Sequence, residues 1–230
     1  MEKVLVICSL FFVLSCSKEK ELGNMVVQGK IKGLKKGRIY LQKIKDTTLV
    51  SVDSIHLYGR ENFTLTDNIS SPQMYYLYLA GNKHKVAFFA EPGTISINNK
   101  LDGFGSSPII KGSRNQKIME EYQEIAKKFQ EKQLDLLAKN IQAQKEEDLA
   151  GSLTIRKQSE QQNLRKYVNT INFALNHTDS EAAAYIALTE LVNANVKYLD
   201  SIYNTLSENV QQSLYGKELA DFIHIIKETE

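Results

Sequence analysis

Cysteine is nearly absent. Among 230 residues only Cys8 and Cys16 occur, both near the N-terminus. A body without cysteine cannot staple its fold with internal disulfides and offers no thiol for redox chemistry, so packing has to hold it together. Charge of one sign is lacking too: the net charge of +2 excludes the strongly basic surface of a nucleic-acid-binding chain. Beyond the first residues, no apolar run approaches the roughly 18–20 residues that cross a membrane as a helix. Catalytic signatures are missing as well. There is no Gly-x-x-x-x-Gly-Lys-Ser/Thr loop, no His-Glu-x-x-His and no Gly-x-Ser-x-Gly, so no catalytic residue, metal ligand or cofactor is assigned. No fixed-period repeat runs along the chain.

What is present starts with an apolar run over residues 4–15, preceded by Met1, Glu2 and Lys3 and closed by Cys16. The run has the length of a signal-peptide core and is too short to span a bilayer. Val13-Leu14-Ser15-Cys16 resembles a bacterial lipobox, in which the cysteine becomes the acylated first residue. An ordinary cleaved leader with an incidental cysteine is the alternative. The expectation is a lipoprotein signal peptide over 1–15, a polar linker over 16–24, and membrane lipid as a partner through acylated Cys16. Each buried methylene of such an anchor contributes about 0.8 kcal/mol, and two chains suffice for stable attachment. The implied location is the cell envelope, at the periplasmic face of the outer membrane or on the cell surface.

From 25 to 112 apolar residues recur with period two and turn residues interrupt them every eight to twelve positions, which predicts an antiparallel β-sandwich-like domain. Strands are expected over 25–32, 38–44, 48–57, 62–66, 73–80, 85–90, 94–98 and 108–111. In 73–80, Tyr76 and Tyr78 share one face with Met74, while Tyr75, Leu77 and Leu79 share the other. Either the strand is central and covered on both sides, or the face of Tyr76 and Tyr78 is a binding face, since tyrosine joins apolar area to a polar tip.

At Gly112 the period changes to that of helices, so 113–230 is expected to be a helical domain and the fold class α+β. Ser113 and Gln116 have capping-box spacing, and Ile118, Tyr122, Ile125, Phe129 and Leu136 follow at helical intervals. One helix is expected to reach about Ala150, where Gly151 and Ser152 break it. A second then runs to Asn176 with Leu164, Val168, Ile171 and Leu175 on one face. Together they form a long hairpin with a polar tip, whose charged face is either solvated or a partner-binding surface. Further helices are expected over 182–193, 196–206 and 217–227, with Thr178 and Glu181 as another capping pair and Tyr215-Gly216 as a break. Asp53, Ser54 and His56 are close in sequence, but strand alternation turns Asp53 away from the other two, so they make no triad. His84, His177 and His224 have no second ligand at metal spacing.

Gly29, Lys30, Ile31, Gly33, Leu34, Gly37, Ile39, Tyr40 and Leu41, then Asp53, Ser54, Phe63 and Pro72, resemble the N-terminal domain of unknown function of Bacteroidota thiol-disulfide interchange lipoproteins. Phe88-Phe89-Ala90-Glu91-Pro92-Gly93 and Lys111-Gly112-Ser113-Arg114-Asn115 extend the resemblance to about residue 115. It implies fold and compartment. In that family a thioredoxin-like domain with Cys-x-x-Cys follows, and these 230 residues contain no such motif. The expectation is therefore a non-catalytic, lipid-anchored envelope module for binding or assembly with an unknown envelope protein partner. The alternative is an accessory subunit that docks a separately encoded thioredoxin-like protein. Cys16→Ala is expected to move the exported protein from the membrane pellet to the soluble fraction, checked by fractionation and by mass spectrometry of the N-terminus.

Overall fold

A computed structural model describes residues 22–229; the leader, Cys16 and most of the linker lie outside them. The described residues form eight strands and then six helices. The strands are β1 Met25–Lys32, β2 Lys36–Lys45, β3 Thr48–Tyr58, β4 Asn62–Asp67, β5 Gln73–Leu79, β6 Lys85–Ala90, β7 Gly93–Lys100 and β8 Ile109–Lys111. They make two four-stranded sheets, ordered β4-β1-β7-β8 and β3-β2-β5-β6. Alternation decides which side chains meet between the sheets. Met25, Val27, Ile31, Ile95 and Ile97 from the first, and Ile39, Leu41, Tyr75, Leu77 and Phe88 from the second, are fully buried in one core. Each such aliphatic side chain contributes about 1.5–3 kcal/mol by leaving water.

Every pairing is antiparallel except β1 with β7, which run parallel from Met25↔Gly93 to Lys32↔Lys100. A period of two marks a strand with two unlike faces and says nothing of its neighbour's direction. The parallel pair arises because the chain crosses to the other sheet between β1 and β7, so strands take the place of the usual helical crossover.

The sheets are also joined by charge. Asp67 of β4 accepts from Lys43 Nζ of β2 and from the Tyr75 hydroxyl of β5, both at 2.7 Å, and Lys43 and Tyr75 are 3.1 Å apart. Burial opposes the Asp67 charge, but Lys43 and Tyr75 outweigh it and hold the carboxyl below its ordinary value. Asp53 of β3 makes a second bridge, accepting from Thr66 N–H of β4 at 2.8 Å and from Ser54 N–H at 2.7 Å. Ser54 and His56 lie exposed on the other face of β3.

The helices are α1 Arg114–Lys145, α2 Leu149–Asn176, α3 Glu181–Glu190, α4 Val196–Thr205, α5 Glu208–Gln211 and α6 Leu214–Thr229. Ser113 caps α1 by accepting from Gln116 N–H. The Gln116 side chain does not return to Ser113; its Oε1 accepts from Phe89 N–H of β6 at 2.7 Å and ties the helix to the sheet. α1 and α2 are an antiparallel hairpin whose level is fixed by Tyr122 with Thr170, Gln133 with Ser159 and Asn140 with Ser152.

Four expectations for the helices change. The hairpin turns at Glu146–Asp148 and not at Gly151, because Asp148 caps α2 by accepting from Gly151 N–H at 2.8 Å, and a Cβ on Gly151 would occupy the space of that carboxylate. Gly216 lies inside α6 and not at a break. A side chain there would run into the carbonyls of Val210 and Gln211, so glycine lets α6 lie against α5. Ser180, not Thr178, caps α3. On α2, Ile171 and Leu175 pack on the core as expected together with Thr170, Phe173 and Ala174, but Leu164 and Val168 do not and are 62% and 46% exposed.

Asp67→Asn is expected to cost about 1–3 kcal/mol at neutral pH, seen as a lower urea midpoint. With the folded pKa below the ordinary 3.8, the stabilisation is complete above that pH and is lost as pH falls through the folded value, so the gap between the two proteins closes in acid.

Candidate functional site

The outer face of β5 carries Met74, Tyr76 and Tyr78, all half-buried, while Tyr75, Leu77 and Leu79 enter the core. Helices α3 and α6 settle over one end of this face. Tyr215 of α6 accepts from Met74 N–H at 2.9 Å, just beyond Lys43↔Tyr75 where β2 stops pairing with β5. Its ring meets Phe89 edge-on at 5.8 Å and Tyr185 of α3 at 4.9 Å. Phe89 thereby belongs to the helical core, while its neighbour Phe88 belongs to the sandwich core. Leu214 N–H, donating to Ser71 Oγ at 3.0 Å, closes the seam.

Beside that seam lies a cleft of about 830 Å³ whose walls include Val52, Met74, Tyr76, Tyr185, Tyr215 and Glu218. This is within the range of roughly 300–1,000 Å³ that small-ligand pockets occupy. Burial pushes the hydroxyls of Tyr185 and Tyr215 up, so both stay protonated at neutral pH. Glu218, exposed at the rim, is also held above its ordinary value, first by desolvation and then by Asp221. Lys43 reaches the cleft with its ammonium already engaged by Asp67. The cleft thus combines flat aromatic and aliphatic walls with hydroxyl groups, suited to holding a ligand by stacking and hydrogen bonding.

Tyr76 and Tyr78 share a face but not a setting. Tyr76 lines the cleft; Tyr78 stacks on Tyr40 at 5.9 Å with Lys85 Nζ 5.4 Å above its ring. Tyr185, Tyr215 and Glu218 were not singled out by residue pattern. Tyr185 is the one aromatic in an alanine-rich helix, and that is the signal that could have marked it. The histidines are dispersed: His84 sits in the exposed β5–β6 turn, His177 stacks on Phe173, and His224 is exposed beside Glu228. Among the described residues no group of His, Cys, Asp or Glu is placed to hold a metal ion, and no helix is long and apolar enough to cross a membrane.

A second polar cluster joins the α1 and α3 N-termini to the turn after β6. Glu91 accepts from Arg114 N–H at 2.6 Å and from Asn115 Nδ2 at 2.9 Å. Asn115 Oδ1 in turn accepts from Ser180 Oγ at 2.6 Å and from Ala182 N–H at 3.1 Å. Its donors and acceptors are consumed internally, so it fastens the helices to the sandwich.

The fold and cleft define an α+β protein in which a two-sheet sandwich is followed by a helical part. Residues 25–119 match a domain of unknown function (DUF4369). The match takes in all eight strands, Glu91 and Asn115, and ends in the second turn of α1, so the first residues of that helix go with the sandwich. No curated protein and no solved structure matches the chain.

Tyr215→Phe removes the acceptor for the partly buried Met74 N–H, at an expected cost of about 1 kcal/mol. Chemical denaturation should show the loss, and hydrogen exchange should show earlier opening at Met74.

Proposed function

We propose that this chain is a lipid-anchored cell-envelope binding module, without catalytic activity, that receives its partner in the cleft beside Tyr76. The observation that carries the reading is the half-buried Tyr76 set in one concave wall with Tyr185 and Tyr215, at a junction already rigidified by the bond from Met74 to Tyr215. Rigid tyrosines bring large contact area with little entropy to lose, which is why such side chains dominate binding sites. The lipid tether rests on the run ending at Cys16, and the compartment on the resemblance to Bacteroidota lipoproteins. The tempting Asp53, Ser54 and His56 supply no relay, since Asp53 is committed to backbone donors on the opposite face.

The test is affinity capture from native envelope with the full chain and with Tyr76→Ala, whose folding is verified by its unfolding midpoint. A partner held by the parent protein and bound about tenfold or more weakly by the variant is expected. Equal capture by both removes the cleft from the proposal, and a thioredoxin-fold protein as the captured partner replaces it with the accessory-subunit reading.

A further inference from the structure

The opposite side of the sandwich carries a different kind of recess. On the outer face of the first sheet, the parallel register of β1 and β7 sets Lys30 beside Asn98 and Lys32 beside Lys100. All four are exposed. The loop over residues 101–108 rises next to them and encloses about 520 Å³, again the size of a small-ligand pocket.

The charges in this recess do not balance. Lys30 is paired with Glu61 at 3.0 Å, and Glu61 is further occupied by Gly33 N–H. Lys32 and Lys100 are cross-strand neighbours, and among the described residues neither forms an ion pair. Like charges directly opposite one another destabilise a sheet. Asp102 is the acidic residue in the wall, and Glu61, already bonded to Lys30, gives Lys32 only a longer-range attraction. Asn99, next along β7, is turned to the other face with Ile95 and Ile97 and is buried there, so it offers the recess no side-chain donor. Two ammonium groups outside any ion pair and the exposed amide of Asn98 around one recess are complementary to an anionic oxygen group, which accepts several charge-assisted hydrogen bonds at once.

We propose that this recess binds a small ligand through a phosphate or carboxylate group held between Lys32 and Lys100, with the amide of Asn98 reading its polar remainder. The site lies on the sheet that does not face the helices, so it is independent of the cleft and fails or stands separately from it.

The test is calorimetric titration of the purified full chain with inorganic phosphate and with citrate, and co-sedimentation with phosphatidylglycerol vesicles. Saturable binding is expected that weakens about tenfold in Lys32→Ala and in Lys100→Ala and falls with added salt, while Lys85→Ala on the other sheet binds as the parent does. Binding to the soluble anions assigns a free ligand; binding confined to the vesicles and lost in the same two variants assigns a lipid headgroup. Both keep the site. Since removing one of two facing lysines relieves repulsion, both variants should unfold at or above the parent temperature without anion and lose the anion-dependent rise. Binding that never saturates, or that is equal in the parent and both variants, overturns the proposal.

Discussion

The structure depends on the outer face of the second sheet being given to the helices at Phe89. β6 is an edge strand, and an edge leaves N–H groups open to water or to another chain. Here Gln116 takes the outward N–H of Phe89, while the Phe89 ring enters the helical core against Tyr185 and Tyr215. Tyr215 then satisfies Met74, the Phe89 partner on the next strand. One strand position thus supplies an apolar anchor and a protected edge, with a second hydrogen bond across the junction. The helical part has its own core, and Phe89 is the buried residue through which the sheet joins it.

Polar side chains are placed where the two layers or two parts meet. Asp67 with Lys43 and Tyr75, and Asp53 with Thr66, span the sheets; Glu91 and Asn115 span sandwich and helices. Each bond crosses from one layer or part to the other, so these groups select one arrangement among the many that would bury similar apolar area. With no cysteine after Cys16, such pairings do the selecting.

Most strand boundaries are legible in the residues themselves because alternation and turn chemistry agree: 25–32 and 85–90 coincide with β1 and β6. Helix ends are less so. Gly151 and Gly216 look like breaks in isolation, yet each is there to make room, for the Asp148 carboxylate in one case and for the α5 carbonyls in the other. Local pattern cannot distinguish a glycine that ends a helix from one that lets something approach it. The α2 core face is legible only toward its C-terminal end for a related reason: Ile171 and Leu175 do pack on the core, while Leu164 and Val168, equally apolar, stay exposed and Thr170, Phe173 and Ala174 take the burial. Tyr76 could be placed from alternation alone. That it shares a cleft with Tyr185 and Tyr215 could not, since those residues are far apart in the chain and no periodicity encodes their meeting. The proposed anchor at Cys16 rests on residue chemistry by itself.

The parallel pairing of β1 and β7 sets an order of assembly. The first strand acquires an antiparallel neighbour when β4 arrives, but its other edge stays open until the chain has traversed the second sheet twice. Closing a loop of that size before any contact rewards it slows the reaction. β1 is therefore enclosed only by the seventh strand, and a ribosome releasing this chain must deliver nearly the whole domain before its N-terminal strand becomes an interior one.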